Sequence, residues 1–251
     1  MRTMIIVIMA AFYAANAYAA ADGMDLYLLV GQSNMAGRGA LTDSNRVNAE
    51  RIFKLDAKGE WQRAEEPIHF DRKSAGAGLA ASFARAMADK NKDVKIGLIP
   101  CAVGGTRIDR WVEGGDLWSN AVKRAKIALK SGKLKGILWH QGESDALSSK
   151  LAPKWGAKFE SMIKSFRREL GDVPFIAGEL GGYLETYKSK KGNKVLWREI
   201  NFQLHALEGK IKDYRVVPAN GLTPKRDNLH FNTESLRIFG LRYAEAFDSI
   251  K

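Results

Sequence analysis

A chain of 251 residues, 45% hydrophobic and 27% charged, has ordinary globular composition and is expected to form a single domain after its first residues. Its formal net charge is +12, but the cations are dispersed through amphipathic stretches such as Lys123-Arg124-Ala125-Lys126 and Lys158 to Arg168. Without a compact basic arm or aromatic-interleaved strip, nucleic acid is not an expected partner, and with Cys101 as the single cysteine no intramolecular disulfide can form.

Taken in chain order, residues 1–21 carry one cation, Arg2, then the uncharged stretch Met4 to Ala15 and the small-residue run Ala17-Tyr18-Ala19-Ala20-Ala21. That is the pattern of a secretory signal, with an apolar part too short to span a bilayer. Export to the periplasm or the medium is therefore expected, with no membrane attachment after cleavage and residues 22–251 as one domain. Oligomeric state is left open.

Short apolar runs rich in branched residues follow at Leu26 to Val30, Val94 to Ile99, Gly136 to Trp139, Val173 to Ala177 and Tyr214 to Val217. Helical periodicity lies between and after them at Leu79 to Asp89, Leu117 to Lys130, Leu151 to Leu170, Val195 to Leu207 and Ser235 to Phe247. Alternation of this kind predicts an α/β fold, a three-layer sandwich around a central parallel sheet of about five strands. Arg51 to Ala64, with Asp56-Ala57-Lys58-Gly59 in its middle, reads as a two-stranded excursion around a turn. Gly181 to Asn193 reads as a long exposed loop. Cys101 lies in the apolar run Ile96 to Ala102, where a buried small side chain is the expected role.

Ligands of an open α/β sheet bind outside the carboxyl ends of its strands. Four polar segments follow strands there: Gly31-Gln32-Ser33-Asn34-Met35, Ala102-Val103-Gly104-Gly105-Thr106-Arg107, His140-Gln141-Gly142-Glu143-Ser144-Asp145 and Asp227-Asn228-Leu229-His230. A serine hydroxyl becomes a nucleophile when an imidazole takes its proton, and that imidazole needs a partner to fix its tautomer. Ser33 and His230, with Asp227 three residues before the histidine, fit those roles. The backbone N–H groups of Ser33 and Gly104 and the side chain of Gln141 are candidate donors to an oxyanion. His140 is read as a hydrogen-bonded structural residue, and His205 as a helix residue outside the chemistry. No HExxH, cysteine pair or close histidine cluster supports a metal.

GQSNMAG at 31–37, AVGGT at 102–106, WHQGESD at 139–145 and DNLH at 227–230 resemble the four blocks of the SGNH, or GDSL-like, hydrolases. They are most similar to the branch that holds carbohydrate esterase family 6 acetylxylan esterases and sialate O-acetylesterases. The resemblance implies a flavodoxin-like fold and a serine esterase that removes O-acetyl groups from an acetylated carbohydrate without a cofactor. By position it implies Ser33 as nucleophile, His230 as general base, Asp227 as its acid, and Ser33, Gly104 and Gln141 as the oxyanion hole. Gln141 stands where the wider family has asparagine. Glu143 is a rival acid for His230, and both readings stay open here. Arg107 and Trp111 suit a sugar, though Trp111 equally suits the edge of the core, and His69 is a weaker substrate contact. Acetylxylan or a related acetylated glycan is the expected substrate; a sialate O-acetylesterase, or a carbohydrate-binding protein without turnover, is the alternative reading.

Overall fold

A computed structural model describes residues 23–42, 50–188, 192 and 194–250. The expected signal segment lies outside them. Seven strands form one sheet in the order β3-β2-β4-β1-β5-β6-β7. They are β1 (Met24–Gly31), β2 (Ile52–Leu55), β3 (Trp61–Arg63), β4 (Ile96–Pro100), β5 (Gly132–His140), β6 (Phe175–Gly178) and β7 (Tyr214–Val217). All neighbouring pairs are parallel except β2 with β3.

The expected count of about five strands is therefore low by two. The excursion at 51–64 is a hairpin, as read, but β2 also pairs in parallel with β4 and so joins the sheet. Residues Ile52, Phe53 and Lys54 lie opposite Ile96, Gly97 and Leu98. This pairing spans more than forty positions of sequence and leaves no local mark on a four-residue strand.

The helices are α1 (Ser33–Ala36), α2 (Leu79–Lys90), α3 (Asp116–Ala128), α4 (Glu143–Ala146), α5 (Trp155–Leu170), α6 (Trp197–His205) and α7 (Thr233–Asp248). Alternation along β1 sends Leu26, Leu28 and Val30 to one core, and Tyr27 and Leu29 to the other. The first core packs against α3, α5 and α6; the second packs against α2 and α7. Aromatic stacking ties the first together, with Trp155 on Phe159 at 4.6 Å between ring centroids. Truncating either buried ring to alanine costs about 3–5 kcal/mol. α5 begins at Trp155 because Pro153, which cannot continue a hydrogen-bonded ladder, sits in a 3-10 turn just before it.

β1 is the central strand, with the chain crossing to one side for β2 to β4 and to the other for β5 to β7. The crevice opened by this change of direction lies outside the carboxyl ends of the strands, where α/β folds bind ligands. Gly31 ends β1 at φ +132°, and a Cβ there would lie 2.1 Å from the His140 carbonyl oxygen. Only glycine lets β1 turn out of the sheet this close to β5 and deliver Ser33 to the crevice.

Candidate active site

Ser33 opens α1, so its backbone N–H precedes the helical ladder; among the described residues no hydrogen bond consumes it. Its Oγ lies 3.0 Å from His230 Nε2. His230 Nδ1 lies 2.8 Å from Asp227 Oδ2, so Nδ1 carries the hydrogen that donates to the carboxylate and Nε2 is left to accept the serine proton. The other Asp227 oxygen accepts the backbone N–H groups of Leu229 and His230, both at 2.9 Å. An aspartate that binds backbone two and three residues onward folds its own turn. Asn228, at φ +50°, supplies the left-handed position that this turn requires. Burial tends to raise the Asp227 pKa, but the hydrogen bonds from the His230 and Leu229 backbone and the His230 ring outweigh it and hold the carboxyl below its ordinary value.

The structure thus brings Ser33, His230 and Asp227 into one relay across nearly two hundred residues of sequence. Glu143 is placed elsewhere. It is 2% exposed, its Oε1 accepts Asn34 Nδ2 at 2.5 Å, and His140 Nδ1 lies 3.5 Å from the same oxygen. Asp227, not Glu143, is the carboxylate on His230.

Two of the three expected oxyanion donors are spent on other partners. Gln141 is wholly buried beneath the crevice: its Nε2 donates to the Thr106 carbonyl at 2.9 Å and to Asp145 Oδ2 at 2.5 Å, and its Oε1 accepts Trp155 Nε1 at 2.9 Å. Its longer side chain reaches past the crevice floor into the core. Asp145, kept from water and raised in pKa by that burial, is in turn held by the Ile108 N–H at 3.1 Å. The Gly104 N–H donates to Asp71 Oδ2 at 2.8 Å. Asp71 forms a buried two-point pair with Arg38, Nη2 to Oδ2 at 2.6 Å and Nη1 to Oδ1 at 3.3 Å. A Cβ on residue 104 would lie 2.5 Å from Arg38 Nη2 and 3.4 Å from Ser33 Cβ, so glycine is needed there to admit the guanidinium beside the nucleophile.

The expected substrate contacts are also corrected. Trp111 is fully buried, donates through Nε1 to Thr106 Oγ1 at 3.1 Å and meets Trp139 edge-on, so it belongs to the core. His69 is 2% exposed and lies inside the protein; burial is the main cause that lowers its pKa to about 4, against the pull of Asp71. Arg107 is exposed but does not line the cavity at Ser33. His140 has its structural role: it is fully buried, with Nε2 3.1 Å from the Glu179 carbonyl oxygen. His205 is on the surface between Glu179 and Glu208, at 2.7 and 2.8 Å. Burial pushes the Cys101 thiol up to about 12, consistent with a packing role.

The cavity over Ser33 and His230 measures about 480 Å³. Gln32, Arg38, Arg72, Ser144, Leu147 and Lys225 contribute to its wall. Gln32 and Ser144 lie in the strand-end segments of the sequence; Arg38, Arg72, Leu147 and Lys225 have no site role assigned by it. Arg72 Nη2 donates to the Gly104 carbonyl at 2.9 Å and Lys225 Nζ to the Arg38 carbonyl at 2.7 Å. Neither cation forms an ion pair with a carboxylate among the described residues. Among those residues no group of three or more histidine, cysteine, aspartate or glutamate side chains could hold a metal ion.

A serine just past a strand end contacts a histidine that an aspartate holds, on a mostly parallel sheet between helical layers, and the fold is that of the SGNH hydrolases. Residues 23–249 match the family model described as carbohydrate esterase, sialic acid-specific acetylesterase, and the chain belongs to that family. It is 34% identical over 247 residues to a probable carbohydrate esterase of Arabidopsis thaliana, an alignment covering 88% of this chain and 89% of that protein. The X-ray structure of the Arabidopsis protein superposes with a TM-score of 0.80 at 32% identity, covering 90% of this chain and 98% of the other. The crystal structure of NanS shares the fold, with a TM-score of 0.72 at 18% identity over 92% of this chain and 98% of that one.

Proposed function

We propose that this chain is an exported serine esterase that removes O-acetyl groups from carbohydrate through an acyl-enzyme. The observation that carries the proposal is the relay itself, Ser33 Oγ at 3.0 Å from His230 Nε2 and His230 Nδ1 at 2.8 Å from Asp227. As Ser33 Oγ attacks the acetyl carbonyl, its proton passes to His230 Nε2 and Asp227 stabilises the imidazolium. The free Ser33 N–H faces the oxyanion that forms, beside the positive charge of Arg38. Collapse breaks the bond to the sugar oxygen, which leaves with the proton from His230. Water then attacks the acetyl-serine, gives its proton to the same nitrogen, and acetate departs as Ser33 recovers its hydrogen. The Arg2 to Ala21 pattern supports the reading as an exported protein.

Acetate release from an activated acetyl ester tests this. Ser33→Ala lowers kcat by about 10⁴-fold or more, in line with removal of a triad nucleophile. A Ser33→Ala variant as active as the parent refutes it. A protein that binds glycans without turnover releases no acetate and takes no organophosphate label at Ser33.

One observation favours an acidic sugar, such as a sialate, over neutral acetylxylan as acyl acceptor. Arg72 and Lys225 stand on the cavity wall without ion-pair partners among the described residues, while both carboxylates there are engaged, Asp227 by His230 and Glu143 by Asn34. Unpaired cations at a concave site draw an anionic ligand. In a panel of acetylated glycans, Arg72→Ala and Lys225→Ala raise KM for acidic members only; equal changes for neutral xylan esters contradict the preference.

A further inference from the structure

Asn34 sits next to the nucleophile yet binds the loop of the general base. Its Oδ1 accepts the Phe231 N–H at 3.1 Å, and its Nδ2 lies 3.3 Å from the Leu229 carbonyl. These are the two residues that flank His230. The same Nδ2 donates to Glu143 Oε1 at 2.5 Å, so the clamp on the loop is anchored in a buried carboxyl group.

The proton inventory of that anchor is constrained. His140 Nε2 lies 3.1 Å from the Glu179 carbonyl, which only accepts, so Nε2 carries a hydrogen. Nδ1 of the same ring faces Glu143 Oε1 at 3.5 Å, and both side chains are withdrawn from water. With Nδ1 bare and Glu143 ionised, two sets of lone pairs would oppose each other in a dry pocket walled by the rings of Phe231 and Phe239. A single proton between them, on either group, removes the conflict and leaves the pair with no net charge to bury.

We infer that His140 and Glu143 hold one proton between them, and that Asn34, anchored on this pair, is the positioning residue that sets His230 against Ser33. This rests on the reading of Ser33 and His230 as the catalytic pair. It gives the carboxylate of the HQGE segment a task other than that of acid partner to His230. Asn34 controls the loop through backbone on both sides of the base, so the reach from His230 Nε2 to Ser33 Oγ depends on a side chain that touches neither reacting atom.

Two measurements on the intact chain test it. Nitrogen-15 NMR of the His140 ring and carbon-13 NMR of the Glu143 carboxyl locate protons beyond the one on Nε2 at pH 7: one, on Nδ1 or on the carboxyl, is expected, and none at either place overturns the shared proton. Asn34→Ala is expected to lower kcat of the folded protein for an activated acetyl ester on the order of 10²-fold with KM near that of the parent, since a displaced base slows chemistry more than binding, and to lower the melting temperature through the buried partners it leaves unsatisfied. Asn34→Asp sets two acceptors face to face and loses more; adding Glu143→Gln exchanges donor and acceptor and is expected to restore part of that loss. Unchanged kcat in Asn34→Ala, or no recovery in the double variant, overturns the positioning role. Failure of the parent to release acetate would instead refute the esterase reading, while the proton count, which needs no turnover, would still decide the pair.

Discussion

Asp71 accepts the backbone N–H of Gly104 at 2.8 Å, tying a loop that follows β4 to a carboxylate thirty-three positions earlier in the chain. The same oxygen takes Arg38 Nη2 at 2.6 Å, and the Asp71 side chain is 1% exposed. One buried anion thus holds both the cation beside Ser33 and the glycine that gives it room.

Removal of that anion leaves a buried guanidinium unpaired. Asp71→Ala is expected to cost about 3–5 kcal/mol of unfolding free energy, the range for breaking a buried pair by deleting one partner. Asp71→Asn, which can still accept from Gly104, is expected to cost less. Urea unfolding of the two variants checks the order; equal losses would show that the Gly104 bond contributes nothing.

Gln141 separates a structural amide from an oxyanion donor. Its three hydrogen bonds all run to Thr106, Asp145 and Trp155. Gln141→Met is expected to destabilise the fold by about 1–3 kcal/mol through the polar groups it leaves unsatisfied, while kcat of the folded protein changes little. A loss of 10²–10³ in kcat at unchanged stability, the signature of a lost oxyanion donor, would contradict this.

His69 should shape acid stability. Burial lowers its pKa to about 4 from an ordinary 6.5, so the unfolded chain takes up this proton first. Stability from the neutral ring is complete above about pH 6.5, falls as the pH drops toward 4, and levels off below. The slope in that window is at most about 1.4 kcal/mol per pH unit for one proton. Denaturant unfolding at pH 7, 5.5 and 4.5 is expected to show a shallower decline for His69→Leu than for the parent. Parallel declines would mean that His69 titrates normally in the fold.

Much of this architecture was legible in the chain because its signals are local. Tyr214 to Val217 was bounded correctly by its apolar run, and the helix ends at 79–90 and 233–248 were read to within two residues. The relay was legible because Asp227 and His230 lie three residues apart and Ser33 follows two residues after a strand. What escaped detection depends on distant partners. Nothing around Asp71 says that it will meet Gly104 and Arg38. Gln141 looks like a site amide until Trp155, fourteen residues later, is seen to take its oxygen. Arg72 and Lys225 look like other surface cations until the fold places them on one wall.

The margins of the sheet have a bearing on behaviour in concentrated solution. One border is β3, three residues long and carrying Arg63; the other is β7, four residues long and carrying Arg215. Strands this short, each bearing a cation, make poor templates for the backbone of a neighbouring molecule. Growth of fibrils from either border is disfavoured, and the hairpin at 52–63 doubles as a guard on the flank that β4 would otherwise leave open.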